Sequence, residues 1–176
     1  MGGDKPAQIM GQADLCALHL SRGPSLELLH DLDALPDPCP SEGVAAAQKS
    51  SIRIDRDLSP ALPHLMVDPQ QMKQAVINIM KNAMEAMENG GTLSVKTCSL
   101  SETHEAAIEI GDTGPGISAK VMNNIFNPYY TTKHRGTGLG LPITNRIIKA
   151  HKGRIEIRSK DAGGALFTIK LPYPAP

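Results

Sequence analysis

Asp68-Pro69-Gln70-Gln71-Met72-Lys73-Gln74-Ala75-Val76-Ile77-Asn78-Ile79-Met80-Lys81-Asn82-Ala83-Met84-Glu85-Ala86-Met87-Glu88-Asn89-Gly90-Gly91 carries its own start and stop signals. Asp68 suits an N-cap, Pro69 the first helical position and Gln71 the reciprocal side chain of a capping box. Met72, Ala75, Val76, Ile79, Met80, Ala83 and Met87 recur at helical spacing, which makes one face apolar and commits it to a core. Asn89, Gly90 and Gly91 tolerate left-handed backbone and end the helix. Off the stripe, Asn78 and Asn82 stand at i and i+4, and Glu85 follows one turn on. Asparagine is a mediocre helix former, because its amide competes for backbone hydrogen bonds. Two on one face mean either solvated surface or a polar site, and the helix alone does not decide between them.

Outward from this helix the pattern is mixed. Ser51–Leu58 alternates like a half-buried strand. Strands are expected near Thr92–Leu100 and Ala106–Gly111, then a glycine-rich turn (Gly111–Gly116) and a short helix over Ala119–Ile125. A polar stretch, Asn127–Thr137, precedes a helix from about Leu139 to His151 that stops at Gly153. A hairpin closes the chain: Arg154–Ser159, a turn at Asp161–Gly164, and Ala165–Leu171. Without strict βαβ alternation, this predicts an α+β sandwich with helices on one face of a sheet. Residues 1–50 read differently, with Pro36, Pro38 and Pro40 close together and two short helical patterns, Leu26–Leu32 and Val44–Lys49. They are expected to be a connecting segment, with one domain over residues 51–176.

Composition narrows the partners. Eighteen basic residues balance eighteen acidic ones, which gives no electrostatic argument for nucleic acid or an anionic membrane. With no Trp, two Phe and three Tyr, there are few platforms for stacking on bases. Cys16, Cys39 and Cys98 show no CxxC pairing, which suits a reducing, cytoplasmic compartment and argues against zinc. No apolar run approaches a membrane span, and the N-terminus lacks the apolar core of a signal peptide.

Two loops add chemistry to the asparagine pair. In Ile108-Glu109-Ile110-Gly111-Asp112-Thr113-Gly114-Pro115-Gly116-Ile117 a strand runs into a turn with glycine on both sides of an aspartate. This is either a tight turn or a place where backbone approaches a flat ligand and Asp112 accepts a proton from a base. In Gly136-Thr137-Gly138-Leu139-Gly140-Leu141 small residues open a helix, as a phosphate cradle requires. The spacing is neither that of a P-loop nor that of a Rossmann turn. Just before it, Thr131, Thr132, Lys133, His134 and Arg135 offer hydroxyls and cations, which suit a triphosphate or simply a solvated loop.

Taken in order, these segments resemble the GHKL (Bergerat-fold) ATPase superfamily and, within it, sensor histidine kinases. Asn78–Ala86 resembles the N box, Asp112–Ile117 the G1 box, Ile125–Lys133 the F box and Gly136–Leu141 the G2 box, across roughly residues 51–172. The resemblance implies a two-layer α/β sandwich with a mixed sheet, Mg-ATP as ligand and protein-histidine kinase activity. It implies a nucleotide site of Asn78, Asn82, Glu85, Asp112, Gly114, Gly116, Ile117, Tyr130, Thr131, Thr132, Lys133, Gly136, Thr137, Gly138, Leu139, Gly140 and Leu141. Asp112 would accept the adenine amino proton and reject guanine, and Asn82 would ligate Mg²⁺ through its amide oxygen. Thr131–Leu141 would form a lid, with Lys133 as the γ-phosphate contact and Arg135 as a weaker candidate. Asn78 stands where hydrolytic branches carry Glu. An amide cannot take a proton from water, which favours transfer to a protein nucleophile. The rivals are a hydrolytic ATPase of the mismatch-repair, chaperone or topoisomerase type, a non-catalytic nucleotide sensor, and a serine kinase of the anti-sigma type.

Of six histidines (His19, His30, His64, His104, His134, His151), only His19-Leu20-Ser21-Arg22-Gly23-Pro24 echoes a phosphoacceptor motif. It lacks the acidic residue after His and the Asn before Pro, and the stretch from His19 to Asp68 is too short for both a helical hairpin and a linker. Leu20–Pro24 resembles instead the end of the second dimerisation helix in the nitrogen-regulation branch. Thr131-Thr132-Lys133 and the Asn82-Ala83-Met84-Glu85-Ala86 ending of the N box point to the same branch. The phosphoacceptor is therefore expected upstream of Met1, on the dimerisation domain of a homodimeric parent that relays to a response regulator.

Overall fold

Alternation along the strands sorts the sheet into an apolar face and a charged one. A computed structural model describes residues 52–133, 136–160 and 163–174. In chain order these form β1 (Ile52–Asp57), α1 (Pro69–Ala86), β2 (Gly91–Leu100), β3 (Glu105–Gly111), α2 (Ala119–Met122), α3 (Gly140–Ala150), β4 (Arg154–Ser159) and β5 (Ala165–Pro172). The five-stranded sheet has the order β1-β2-β3-β5-β4. β1 runs parallel to β2 and the other neighbours are antiparallel, so the sheet is mixed. The expected α+β sandwich is what forms.

Register stacks the apolar residues in rows: Val95 opposite Ile110, Ile110 opposite Phe167, and Ile108 opposite Ile169. The predicted stripe of α1 (Met72, Ala75, Val76, Ile79, Met80, Ala83) is buried against them, with Met87 beyond its end and Ile147 and Ile148 of α3. Alternate residues on the other face pair their charges. Lys96 lies 3.0 Å from Asp57 and Lys170 lies 2.7 Å from Glu156. Arg154 grips both carboxylate oxygens of Glu105. That guanidinium holds the Glu105 carboxyl below its ordinary range against the opposing effect of burial.

Local departures from expectation have identifiable causes. Asp68 caps α1 by accepting from Gln70 N (2.9 Å) and Gln71 N (3.1 Å). The Gln71 N–H bond contributes most to holding the Asp68 carboxyl below its usual value. The capping box does not close as predicted: Gln71 Nε2 donates to Asp68 Oδ2 at 2.9 Å. The Asp68 backbone N–H is already taken by His151 Nε2 at 3.0 Å. His151 Nδ1 lies 2.8 Å from Ile147 O, so the ring satisfies both bonds with its proton on Nδ1. The start of α1 is thereby tied to the end of α3.

α1 stops at Ala86, with Gly90 (φ 87°) completing the turn. α2 covers four residues instead of running to Ile125. Asn124 and Asn127 turn their amides onto Lys120 O and Asn124 Oδ1, the local competition that asparagine brings. After α3, Lys152 (φ 58°) takes the left-handed position. Gly153 is required by packing, because a Cβ there would sit 2.6 Å from Lys170 O. The helical patterns at Leu26–Leu32 and Val44–Lys49, the Leu20–Pro24 segment, His19, Cys16, Cys39, His134, Arg135, and the turn residues Asp161 and Ala162 lie outside the described residues.

Candidate functional site

Asn78, Asn82 and Glu85 stand off the apolar stripe of α1, and three separate segments converge on that side of the helix. The first is the start of α3. Asn78 Nδ2 lies 3.3 Å from Gly140 O and 3.4 Å from Thr144 Oγ1. Leu139, in the cap position, makes no side-chain cap, so no cap side chain fills the leading N–H groups of α3. A Cβ on Gly140 would meet nothing nearer than Asn78 Cγ at 3.9 Å. Protein packing therefore does not demand glycine here. The open volume beside uncapped helix amides is what a phosphate needs. Leu141 and Ile117 pack against the core.

The second segment is the expected lid. Tyr129 N–H bonds Gly138 O at 3.0 Å and closes residues 129–138 into a loop. Both residues are left-handed (φ 66° and 65°), and a Cβ on Gly138 would fall 2.5 Å from the Tyr129 carbonyl carbon. Only glycine fits at that crossing. Inside the loop, Thr131 Oγ1 accepts from Lys133 N (3.1 Å), Gly136 N–H bonds Lys133 O (3.3 Å) and Thr137 Oγ1 accepts from Leu139 N (3.4 Å). Tyr130 is half-buried, whereas Thr131, Thr132, Gly136 and Thr137 are exposed. The Lys133 ammonium reaches back to α1, 2.5 Å from Glu85 Oε2 and 3.1 Å from Asn82 Oδ1. A cation thus already rests on the oxygens of α1.

The third segment follows β3. Asp112 is buried, and its Oδ1 accepts from Gly114 N (2.8 Å) and Ala165 N (3.2 Å). A buried carboxylate is tolerable because donors meet it. Lys160 Nζ donates to the Asp112 carbonyl at 3.2 Å. Gly114 presses on the end of α1, where a Cβ would lie 3.1 Å from Ala86 O. Gly116 (φ 80°) turns the chain, and Ile117 N–H then bonds Ser159 Oγ at 3.1 Å.

Sequence reasoning missed Thr144, Ser159, Lys160 and Ala165. The last three belong to the closing hairpin, and their partners are distant in the chain. Thr144 is an unremarkable helix residue until its neighbours are known. Among the described residues no group of three or more His, Cys, Asp and Glu could hold a metal ion. Nor is any described helix long and apolar enough to cross a membrane.

With this geometry established, comparison with known proteins is specific. The family model described as "Histidine kinase-, DNA gyrase B-, and HSP90-like ATPase" matches residues 67–175. The chain belongs to this ATPase family. Among curated members, it is similar to sporulation kinase E of Bacillus subtilis, at 39% identity over 73% of this chain and 17% of the relative. It is equally similar to the signal transduction histidine-protein kinase AtoS of Escherichia coli, at 39% identity over 74% of this chain and 21% of the relative. The chain thus spans about a fifth of the length of these relatives. Among solved structures, full-length ShkA in complex with AMPPNP aligns with a TM-score of 0.71 and 26% identity, over 93% of this chain and 34% of that one. The sheet order and the helices laid on one face are the family's fold, and Asp112, the α1 amides and the α3 start lie within the matched region.

Proposed function

We propose that the site on α1 binds Mg-ATP and that the chain passes the γ-phosphate to a histidine on a dimerisation domain, for relay to a response-regulator aspartate. The observation that carries this reading is the Asn78–Gly140 seam, which sets an uncapped helix start and an open glycine beside the α1 amides. The kinase names of the two curated relatives, one of them a histidine-protein kinase, and the AMPPNP in the ShkA complex support it.

Bound Mg-ATP would supply the transferable phosphoryl group with its charge partly neutralised. Asp112, rigidly held through Oδ1, would accept the adenine amino proton, and Gly114 and Gly116 would let the backbone approach the base. The fit to magnesium rests on donor chemistry: Asn82 Oδ1 already accepts a cation, the Lys133 ammonium. Because no all-protein metal cage is present among the described residues, the remaining ligands would be phosphate and water, as magnesium prefers. On nucleotide binding, Lys133 would exchange Glu85 for the γ-phosphate, bringing Thr131 and Thr132 over the cradle. Asn78 cannot act as a base, which favours transfer over hydrolysis. The phosphoacceptor, the dimeric parent, a connecting role for residues 1–50 and the nitrogen-regulation branch belong to the same proposal. The branch rests on Leu20–Pro24, Thr131-Thr132-Lys133 and Asn82-Ala83-Met84-Glu85-Ala86.

Calorimetric titration tests the reading. ATP should bind at least about tenfold tighter than GTP, as a site built on one specific hydrogen bond discriminates. Magnesium should tighten ATP binding in the unaltered chain and not in Asn82→Ala. Equal affinities for both nucleotides would remove Asp112 from base recognition. A full magnesium effect in Asn82→Ala would remove Asn82 from the metal.

A further inference from the structure

Thr144 has no exposed surface, unlike the other buried polar residues among those described (Thr97, Glu105, Asp112 and Thr168, at 3–8%). Its hydroxyl bonds in two directions. Oγ1 donates to Gly140 O at 3.0 Å, the backward bond to i−4 that helical threonines make. The same oxygen is 3.4 Å from Asn78 Nδ2, which also lies 3.3 Å from Gly140 O. A hydroxyl has one proton, and here the carbonyl takes it. What Thr144 shows to Asn78 is therefore a lone pair, and both partners of the Asn78 amide on this side are acceptors. Only the NH₂ end can face them. Turning the amide over would set Oδ1 against the Gly140 carbonyl oxygen with no proton between them, and would leave the buried Thr144 oxygen without its Asn78 donor. The Asn78 oxygen is thereby directed away from α3.

We propose that Thr144 is a positioning residue for the nucleotide site. It fixes which end of the Asn78 amide the site receives, and with it the seat of the first turn of α3 on α1. The inference rests on the reading that this site binds Mg-ATP. Packing alone gives no reason for the hydroxyl, since valine has nearly the same shape.

The test uses the whole chain, with Thr144→Val and Thr144→Ser. Thr144→Val should stay folded and lose about tenfold in Mg-ATP affinity, the size expected for one buried hydrogen bond. Thr144→Ser should recover to within about twofold. Without nucleotide, the Asn78 side-chain amide protons should be protected from solvent exchange in the unaltered chain and in Thr144→Ser, and should lose protection in Thr144→Val. This NMR signature would not move if threonine served only to fill space. In an Asn78→Ala background, Thr144→Val should cost nothing further. Unchanged amide signals in Thr144→Val, or an undiminished loss in the Asn78→Ala background, would overturn the assignment while ATP binding stands. Failure of the unaltered chain to bind ATP at all would overturn both this inference and the reading beneath it.

Discussion

Where α3 lies along α1, Ile147, Ile148 and Thr144 are buried and Asn78 adds two hydrogen bonds; where the described residues of the loop (129–133 and 136–138) meet the same helix, the tie is one lysine ammonium on Glu85 and Asn82. The first contact is built from burial that water cannot replace. The second is a charge pair with both side chains about two-fifths exposed, a kind that salt and water weaken. One helix therefore carries a fixed wall and a releasable one. A site that must admit and then cover a nucleotide needs both.

Hollowing the fixed wall should give the largest effect. Ile148→Ala should lower unfolding free energy by about 2–5 kcal/mol in urea melts, because a fully buried side chain leaves a cavity between α3 and the sheet. A loss below about 1 kcal/mol would mean that α3 is not integral to the core. Next comes Asp112→Asn. Its Oδ1 can still accept from Gly114 and Ala165, so the melting temperature should hold. The lost charge assistance should weaken ATP binding by roughly 1.5–3 kcal/mol, read by calorimetry. Retained affinity would separate Asp112 from the ligand.

How much of this was legible in sequence follows the same division. The α1 stripe and the strand alternation are local and periodic, and they gave the core nearly residue by residue. Asp112, Asn78, Asn82 and the glycines were legible because their order along the chain is distinctive. The glycines nevertheless conceal different physics: Gly138 is needed for a left-handed crossing, whereas Gly140 leaves space open. What sequence could not supply is pairing at long range. His151 completes the Asp68 cap from 83 residues away, and Lys133 reaches Glu85 across 48. No periodicity encodes either contact. Thr144 was hidden because a threonine on an amphipathic helix is informative only once its burial is known.

The charged face of the sheet gives a smaller effect. The folded-state pKa of Glu105 is depressed by Arg154. The pair therefore contributes stability above the ordinary carboxyl value of 4.5, and that contribution is lost as pH falls through the lower folded value. Acid titration of the melting temperature should be steeper below that point in the unaltered chain than in Glu105→Gln. Identical acid limbs would show that the pair contributes nothing. Smallest of all, Lys133→Met should change unfolding free energy by less than about 1 kcal/mol while speeding hydrogen exchange of the amides in residues 129–138. Unchanged exchange would mean that the ammonium does not hold the loop.

On the proposed function, this chain binds the nucleotide with its metal and covers them with a loop, while the acceptor histidine stands on a dimerisation domain. Incubation with γ-labelled ATP, alone and then with the parent protein's dimerisation domain, tests it most directly. Acid-labile, base-stable label is expected on the added domain only, and none with Asn82→Ala. Label on the chain itself that disappears in His19→Gln, or release of inorganic phosphate at a rate that outpaces transfer, would contradict it.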